Sequence, residues 1–184
     1  MEISPIKIVI GLGNPGHQYS NTRHNIGFRV LDALCTAYDG RWTSKQLMEE
    51  AEIMVDGKRI ILIKPTTYMN SSGLVIPILR KQGFEAENIL VVHDELELPF
   101  GTIKCKQGGS AKGHNGLRSI IQSCGDNFMR VRIGIDRPTH KEEVPNYVLH
   151  KFNETNVQVQ QLVDDAVVAI VRCVTNKVQA DSIK

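Results

Sequence analysis

The chain has 184 residues, 41% of them apolar, 23% charged and 5% aromatic, with a formal net charge of +2. That is enough apolar material for one sizeable core and too little chain for two ordinary enzyme domains, so a single domain over residues 1–184 is expected. The near-neutral total excludes a protein that holds a polyanion by bulk charge alone, and no segment approaches the roughly 18 uninterrupted apolar residues of a membrane span.

In chain order, Ile6 to Ile10 reads as a buried strand running into a glycine-rich turn, GLGNPG at 11–16. From about Thr22 the apolar positions Ile26, Val30, Leu31, Leu34 and Ala37 recur at helical spacing, which predicts a helix to Tyr38 with Thr22 or Asn21 as its cap. Ala51–Val55 and Arg59–Lys64, split by Asp56-Gly57, predict a hairpin ended by Pro65. A helix should open at Ser71 or Ser72, with Pro77 in its first turn, and stop at Gly83. Ile89–His93 is the cleanest buried strand, while Thr102–Lys106 and Met129–Ile135 alternate as half-buried strands do. Leu117–Cys124 is a short helix entered from the loop QGGSAKGHNG. Val157–Val174 is a longer helix whose apolar face (Leu162, Val163, Ala166, Val167, Ile170, Val171) covers either the core or a partner. Alternating strands and helices give the α/β class, with a twisted, mixed and largely parallel sheet and helices on both faces.

Charge is segregated. Between Lys104 and Lys141 eight basic side chains stand against two acids, a local +6 that leaves the remainder at −4. The cysteines, Cys35, Cys105, Cys124 and Cys173, are widely spaced and lack a C-x-x-C pair, as expected of reduced thiols in a cytoplasmic protein. No cationic leader precedes a long apolar stretch.

GLGNPG matches the dinucleotide-binding spacing G-x-G-x-x-G, but the context is wrong. A polar loop, His17 to Thr22, intervenes before the helix, and Asp39 follows a helix instead of ending a second strand. No nucleotide cofactor is expected. What remains is polar groups gathered just after strands, where open α/β sheets place their working residues. They are Asn14, Tyr19 and His24 after the first strand, Tyr68 to Asn70 after the third, Asp94 after the fourth, and His114 with Asn115 before a helix. One histidine, one carboxylate and three asparagines suffice for hydrolysis without a side-chain nucleophile. An imidazole takes a proton from water, a carboxylate holds its tautomer, and amides donate to a developing oxyanion. Each residue alone also has a structural reading, as a turn former at Asn14-Pro15 or as a cap at His24, Asn70, Asp94 and Asn115. A metal site from His24, His93, His114 and Asp94 has no close ligand spacing behind it, and none is expected.

Six segments decide between these readings: GLGNPG, Y-x-x-TRHNIG from Tyr19, KPTTYMNSSG from Lys64, HDELELPFG from His93, GHNGLRSI from Gly113 and FMRVRIGIDRP from Phe128. In order and spacing they resemble the signature blocks of bacterial peptidyl-tRNA hydrolases, from Ile6 to about Val148. The resemblance implies a monomeric α/β enzyme that cleaves the ester between a peptide and the 3′ ribose of tRNA. It implies His24 as general base, Asp94 as its supporting carboxylate, and Asn14 where N-blocked and free aminoacyl groups are told apart. Tyr19, Tyr68, Asn70, His114 and Asn115 fall on tRNA or peptide contacts and Met69 on the cleft wall. Lys106 and Arg132 match a basic pair that holds the tRNA 5′ phosphate, within the positive segment already noted. The implied partner is the acceptor stem and CCA end of peptidyl-tRNA. Tyr68 stands where phenylalanine is common, and Phe100 replaces a frequent second proline. A non-enzymatic RNA-binding relative and an esterase for small N-acylated esters are the rival readings. Retention of His24 and Asp94 argues against the first, and the basic segment against the second.

Overall fold

Buried on both faces, the apolar run near the start of the chain forms the middle strand of the sheet. The computed structural model describes residues 4–176. In chain order the strands are β1 (Ile8–Gly11), β2 (Thr43–Lys45), β3 (Met48–Val55), β4 (Lys58–Pro65), β5 (Ile89–Glu95), β6 (Ile103–Gln107) and β7 (Met129–Gly134). The helices are α1 (Ile26–Ala37), α2 (Ile76–Lys81), α3 (Asn115–Cys124), α4 (Val144–Val148) and α5 (Asn156–Val174), with short 3-10 turns between elements.

The seven strands form one sheet in the order β2-β3-β4-β1-β5-β7-β6. Its centre, β4-β1-β5-β7, is parallel, and the strands outside it pair antiparallel. Strand alternation divides the core. Val9, Leu62, Leu90, Val92 and Val131 share one cluster with α1 and α5, whereas Ile8, Ile10, Ile63, Ile89 and Val91 belong to the cluster under α2 and α3. Each fully buried aliphatic side chain contributes roughly 1.5–3 kcal/mol relative to exposure. The fold class is therefore as expected, with helices covering both faces.

Boundaries differ where local chemistry competes with periodicity. Asp56 (φ 49°) and Gly57 (φ 77°) supply two consecutive positive φ angles, and the hairpin closes with Val55 opposite Lys58 as the Asp-Gly signal predicts. The first helix is not continuous from Thr22. A 3-10 turn at Arg23–Asn25 precedes α1, and the Thr22 hydroxyl donates to the Tyr19 carbonyl (2.9 Å) instead of capping. Likewise the helix expected from Ser71 is a 3-10 segment, Met69–Val75, with a kink at Ser71, before α2 begins at Ile76. α5 matches expectation, capped by Thr155 and Gln158, and its apolar face packs inward on α1, β6 and β7.

The chain leaves β1 toward β4 and leaves β5 toward β7, so the loops after these two neighbours diverge and open a crevice at their carboxyl ends. α1 approaches this point as closely as backbone allows. A Cβ on Gly27 would stand 2.5 Å from the Val92 carbonyl oxygen and 2.6 Å from the Leu12 nitrogen.

Candidate active site

Asp94, near the end of β5, is buried and receives two imidazoles. His24, in the 3-10 turn before α1, lies with Nδ1 2.9 Å from Asp94 Oδ2, and His114 lies with Nε2 2.7 Å from Oδ1. The tautomers follow from the partners. His114 caps α3, its Nδ1 accepting the Leu117 N–H at 3.3 Å, so its proton is on Nε2 and is donated to Asp94. His24 donates from Nδ1, which leaves Nε2 as a bare acceptor without a partner among the described residues, on a ring that lines the cleft. Burial opposes ionisation of Asp94, but the two adjacent imidazoles outweigh it and hold the carboxyl well below its usual range. For His24, burial favours the neutral ring, yet the charge and hydrogen bond of Asp94 prevail and raise its pKa above 6.5.

The donor atoms of His24, Asp94 and His114 lie within 4.8 Å of one another, a ligand set that could in principle hold a cation. The hydrogen bonds argue for protons instead. His114 Nε2, the atom facing Asp94, carries the proton and has no lone pair to give a metal.

Asn14, three residues beyond β1, is held from three directions. Its N–H donates to Asn25 Oδ1, Asn25 Nδ2 donates to its carbonyl, both at 2.9 Å, and its own Oδ1 accepts the Met69 N–H at 2.8 Å. The amide orientation is thereby fixed, and Nδ2 is the half left without a partner among the described residues. Met69 is buried, and its sulfur lies 2.5 Å from where a Cβ on Gly116 would be, so this segment sits directly on the start of α3. Tyr68, at φ 61° and 57% exposed, and the exposed Asn70 flank it. Half-buried Tyr19 ends the 3-10 turn His17–Tyr19. Among the described residues none of these three bonds to the His24–Asp94 pair.

The cleft beside the pair has a volume of about 300 Å³. Six of the eight basic side chains between Lys104 and Lys141 line it: Lys106, Lys112, Arg130, Arg132, Arg137 and Lys141. Sheet register explains part of this, since Lys106 opposes Arg130 and Lys104 opposes Arg132 on one face of β6 and β7. Not all are equally available. Arg132 Nε donates to Glu95 Oε1 at 2.8 Å and Arg137 pairs with Glu97, while buried Arg130 donates to the carbonyls of Ser110 (2.7 Å) and Gly109. Arg130 thus pins the glycine-rich loop, and Lys112 rises from that loop at φ 45°. Asn115, also on the cleft, accepts from Arg118 Nη1 at 3.1 Å.

His24, Asp94, His114, Asn115, Lys106 and Arg132 therefore share one cleft, with Asn14 and Met69 joined to it through Asn25. Reading the sequence residue by residue missed Asn25 as the clamp on Asn14. It also missed that His114 grips Asp94, and that His93 is fully enclosed. Burial above all, with repulsion from His114, lowers the His93 pKa to about 4, and its Nδ1 donates to the Asp94 carbonyl at 2.8 Å. Adjacency within TRHN and HDEL was the one available signal.

A family profile described as peptidyl-tRNA hydrolase matches residues 8–184. A peptidyl-tRNA hydrolase of Rubrobacter xylanophilus is 45% identical over 161 residues, 88% of this chain and 91% of that one. The enzyme of the same name from Lactiplantibacillus plantarum is 45% identical over 155 residues, 83% of each chain. Among solved structures, peptidyl-tRNA hydrolase from Acinetobacter baumannii superposes with a TM-score of 0.86 at 36% identity, covering 96% of this chain and 92% of that one.

Proposed function

The chain belongs to the peptidyl-tRNA hydrolase family, a family of ester hydrolases, and from that premise we propose that His24 is its general base and Asp94 the carboxylate that orients it. The observation that carries this reading is the double grip of Asp94. With His24 Nδ1 and His114 Nε2 both donating to one carboxylate, the His24 proton is fixed on Nδ1 and Nε2 is presented as the base.

Water is the nucleophile. Its oxygen attacks the carbonyl carbon of the ester between the peptide and the 3′ ribose while its proton passes to His24 Nε2. The tetrahedral intermediate collapses, the ester C–O bond breaks, and the imidazolium returns the proton to the departing ribose oxygen. The products are the free peptide and tRNA. An ester to a ribose hydroxyl is activated enough for a positioned base and good oxyanion donors. Asn14 supplies one such donor, because Met69 occupies its Oδ1 and leaves Nδ2 to face substrate. That group is also placed to read whether the aminoacyl nitrogen is blocked. Tyr19, Tyr68, Met69, Asn70, His114 and Asn115 contact the peptide or CCA end, and Lys106 with Arg132 takes the 5′ phosphate of the acceptor stem. The protein acts as a monomer in the cytoplasm, where translation releases its substrate.

The test is release of an N-acetyl-aminoacyl group from charged tRNA by the intact protein and by His24→Ala, with unblocked aminoacyl-tRNA as control. The expected result is cleavage of the blocked substrate alone and a loss of at least about a hundredfold in the variant. Binding of tRNA without cleavage would replace the hydrolase reading with that of a scaffold.

A further inference from the structure

Next to the proposed base stands a buried cation, Arg23, only 3% exposed, with no carboxylate within salt-bridge distance among the described residues. Burying a guanidinium without a counter-charge is costly, and simple core packing would be served better by an apolar side chain. Its contacts explain what it does. The guanidinium carbon lies 3.8 Å from the centroid of the Tyr147 ring, and Nη1 donates to the Tyr147 carbonyl at 2.9 Å. The Arg23 N–H donates to the His150 carbonyl at 3.0 Å, and Thr22 bridges Lys151 in antiparallel fashion. Tyr147 is itself tied to the sheet, because its hydroxyl donates to the carbonyl of Ile135, one residue past β7. Nε is buried without a partner among the described residues, so one donor is sacrificed to keep the stacked geometry.

We propose that Arg23 is a positioning residue that sets His24 relative to the α4 wall of the cleft. The base is held between two strand ends, through its ring by Asp94 on β5 and through its backbone by Arg23 and Tyr147 to the end of β7. The same anchor fixes α4, whose Val144, Pro145 and Val148 line the cleft that His24 lines. Arg23 thus determines the gap between the base and the wall against which substrate lies. A planar group that stacks on an aromatic face and donates from a fixed fork does this, and a lysine does so only in part.

The inference rests on His24 being the base. Arg23→Met and Arg23→Lys are compared with the parent and with His24→Ala in hydrolysis of N-acetyl-aminoacyl-tRNA, after circular dichroism has shown that each is folded. In Arg23→Met kcat should fall roughly ten- to a hundredfold with KM changed less than about threefold, as expected when a reacting group is misplaced by about an ångström. The acid limb of kcat/KM should also move to lower pH, because a displaced imidazole loses part of the stabilisation of its charged form by Asp94. Among the described residues Asp94 bonds the His24 ring and His114 packs against it, so the limb reports this geometry. Arg23→Lys should recover only part of kcat. Parent-like kcat and limb in either folded variant overturn the proposal, as does a rise in KM alone. Should the Met variant not fold, Arg23→Lys and Tyr147→Leu carry the same test. Activity surviving in His24→Ala would refute the base assignment itself, whereas loss there with a parent-like Arg23→Met would refute the role of Arg23 only.

Discussion

On one side of the cleft His24, Asp94 and His114 are enclosed, and each side-chain polar atom except His24 Nε2 is assigned by its neighbour. On the other, Lys112 and Lys141 stand in solvent, Lys106 is half-buried, and the arginines between them are already engaged by Glu95, Glu97 or loop carbonyls. Low dielectric makes the first set strong and intolerant of change, since a buried donor or acceptor without its partner bears the full cost of desolvation. Water and salt make the second set weak singly and additive together. The enclosed wall sets geometry, and the open wall sets attraction for an anionic ligand.

The comparison breaks first at Asp94. Asp94→Asn leaves one acceptor for two imidazole donors, so kcat for N-blocked aminoacyl-tRNA should fall by about 10²–10⁴ while tRNA binding stays near parent level. Equal loss of binding and rate would mean that the two walls are not separate. Next comes the backbone stop beneath the cluster. Gly27→Ala forces a methyl onto the Val92 and Leu12 backbones and should cost about 1–3 kcal/mol in urea denaturation, with no compensating relaxation from a flexible side chain.

Acid should sharpen the contrast. The unfolded chain takes up a proton at position 93 below pH 6.5, whereas folded His93 does so only near 4, so stability falls as pH drops between those values. Asp94, with its folded pKa depressed, adds a further loss as pH falls below its ordinary 3.8, and the stabilisation from His24 disappears as pH rises through its raised pKa. Melting temperature against pH should therefore slope downward from 6.5 to 4, and His93→Asn, which keeps a donor for the Asp94 carbonyl, should flatten that slope. Activity should decline on acidification through the raised pKa of His24, as its base form is lost. The smallest effect belongs to the open wall. Lys106→Ala should weaken tRNA binding only a few-fold and reduce the slope of log affinity against log salt by about 0.7–0.9, with kcat nearly unchanged.

Legibility in the sequence followed the same division. β1, the Asp56-Gly57 hairpin, β5 and α5 announce themselves because each buries a face whose periodicity no competing interaction disturbs. β2 and α4 did not, β2 being three polar residues and α4 five residues, too short to show a helical period, and they exist because β3 and the Arg23 anchor give them something to pair with or lean on. The 3-10 turns at Arg23–Asn25 and Met69–Val75 replace predicted helical turns where Thr22, Asn14 and Ser72 divert backbone bonding into the site. Of the site, His24, Asp94 and Asn14 stood out as polar groups just after strands, and the resemblance of whole motifs supplied their roles. Their clamps Asn25 and His114 depend on contacts across 11 and 20 residues, which spacing along one sequence does not encode.

His24 and Asp94 are 70 residues apart and meet only because β5 returns to pair beside β1. Neither hairpin nor helix formation brings them together, and closing so long a loop must wait until the middle of the sheet is joined. Recovery of hydrolysis after dilution from denaturant is consequently a clock for that closure. It should lag the return of helical signal from α5 and start only when β1 has found both its neighbours.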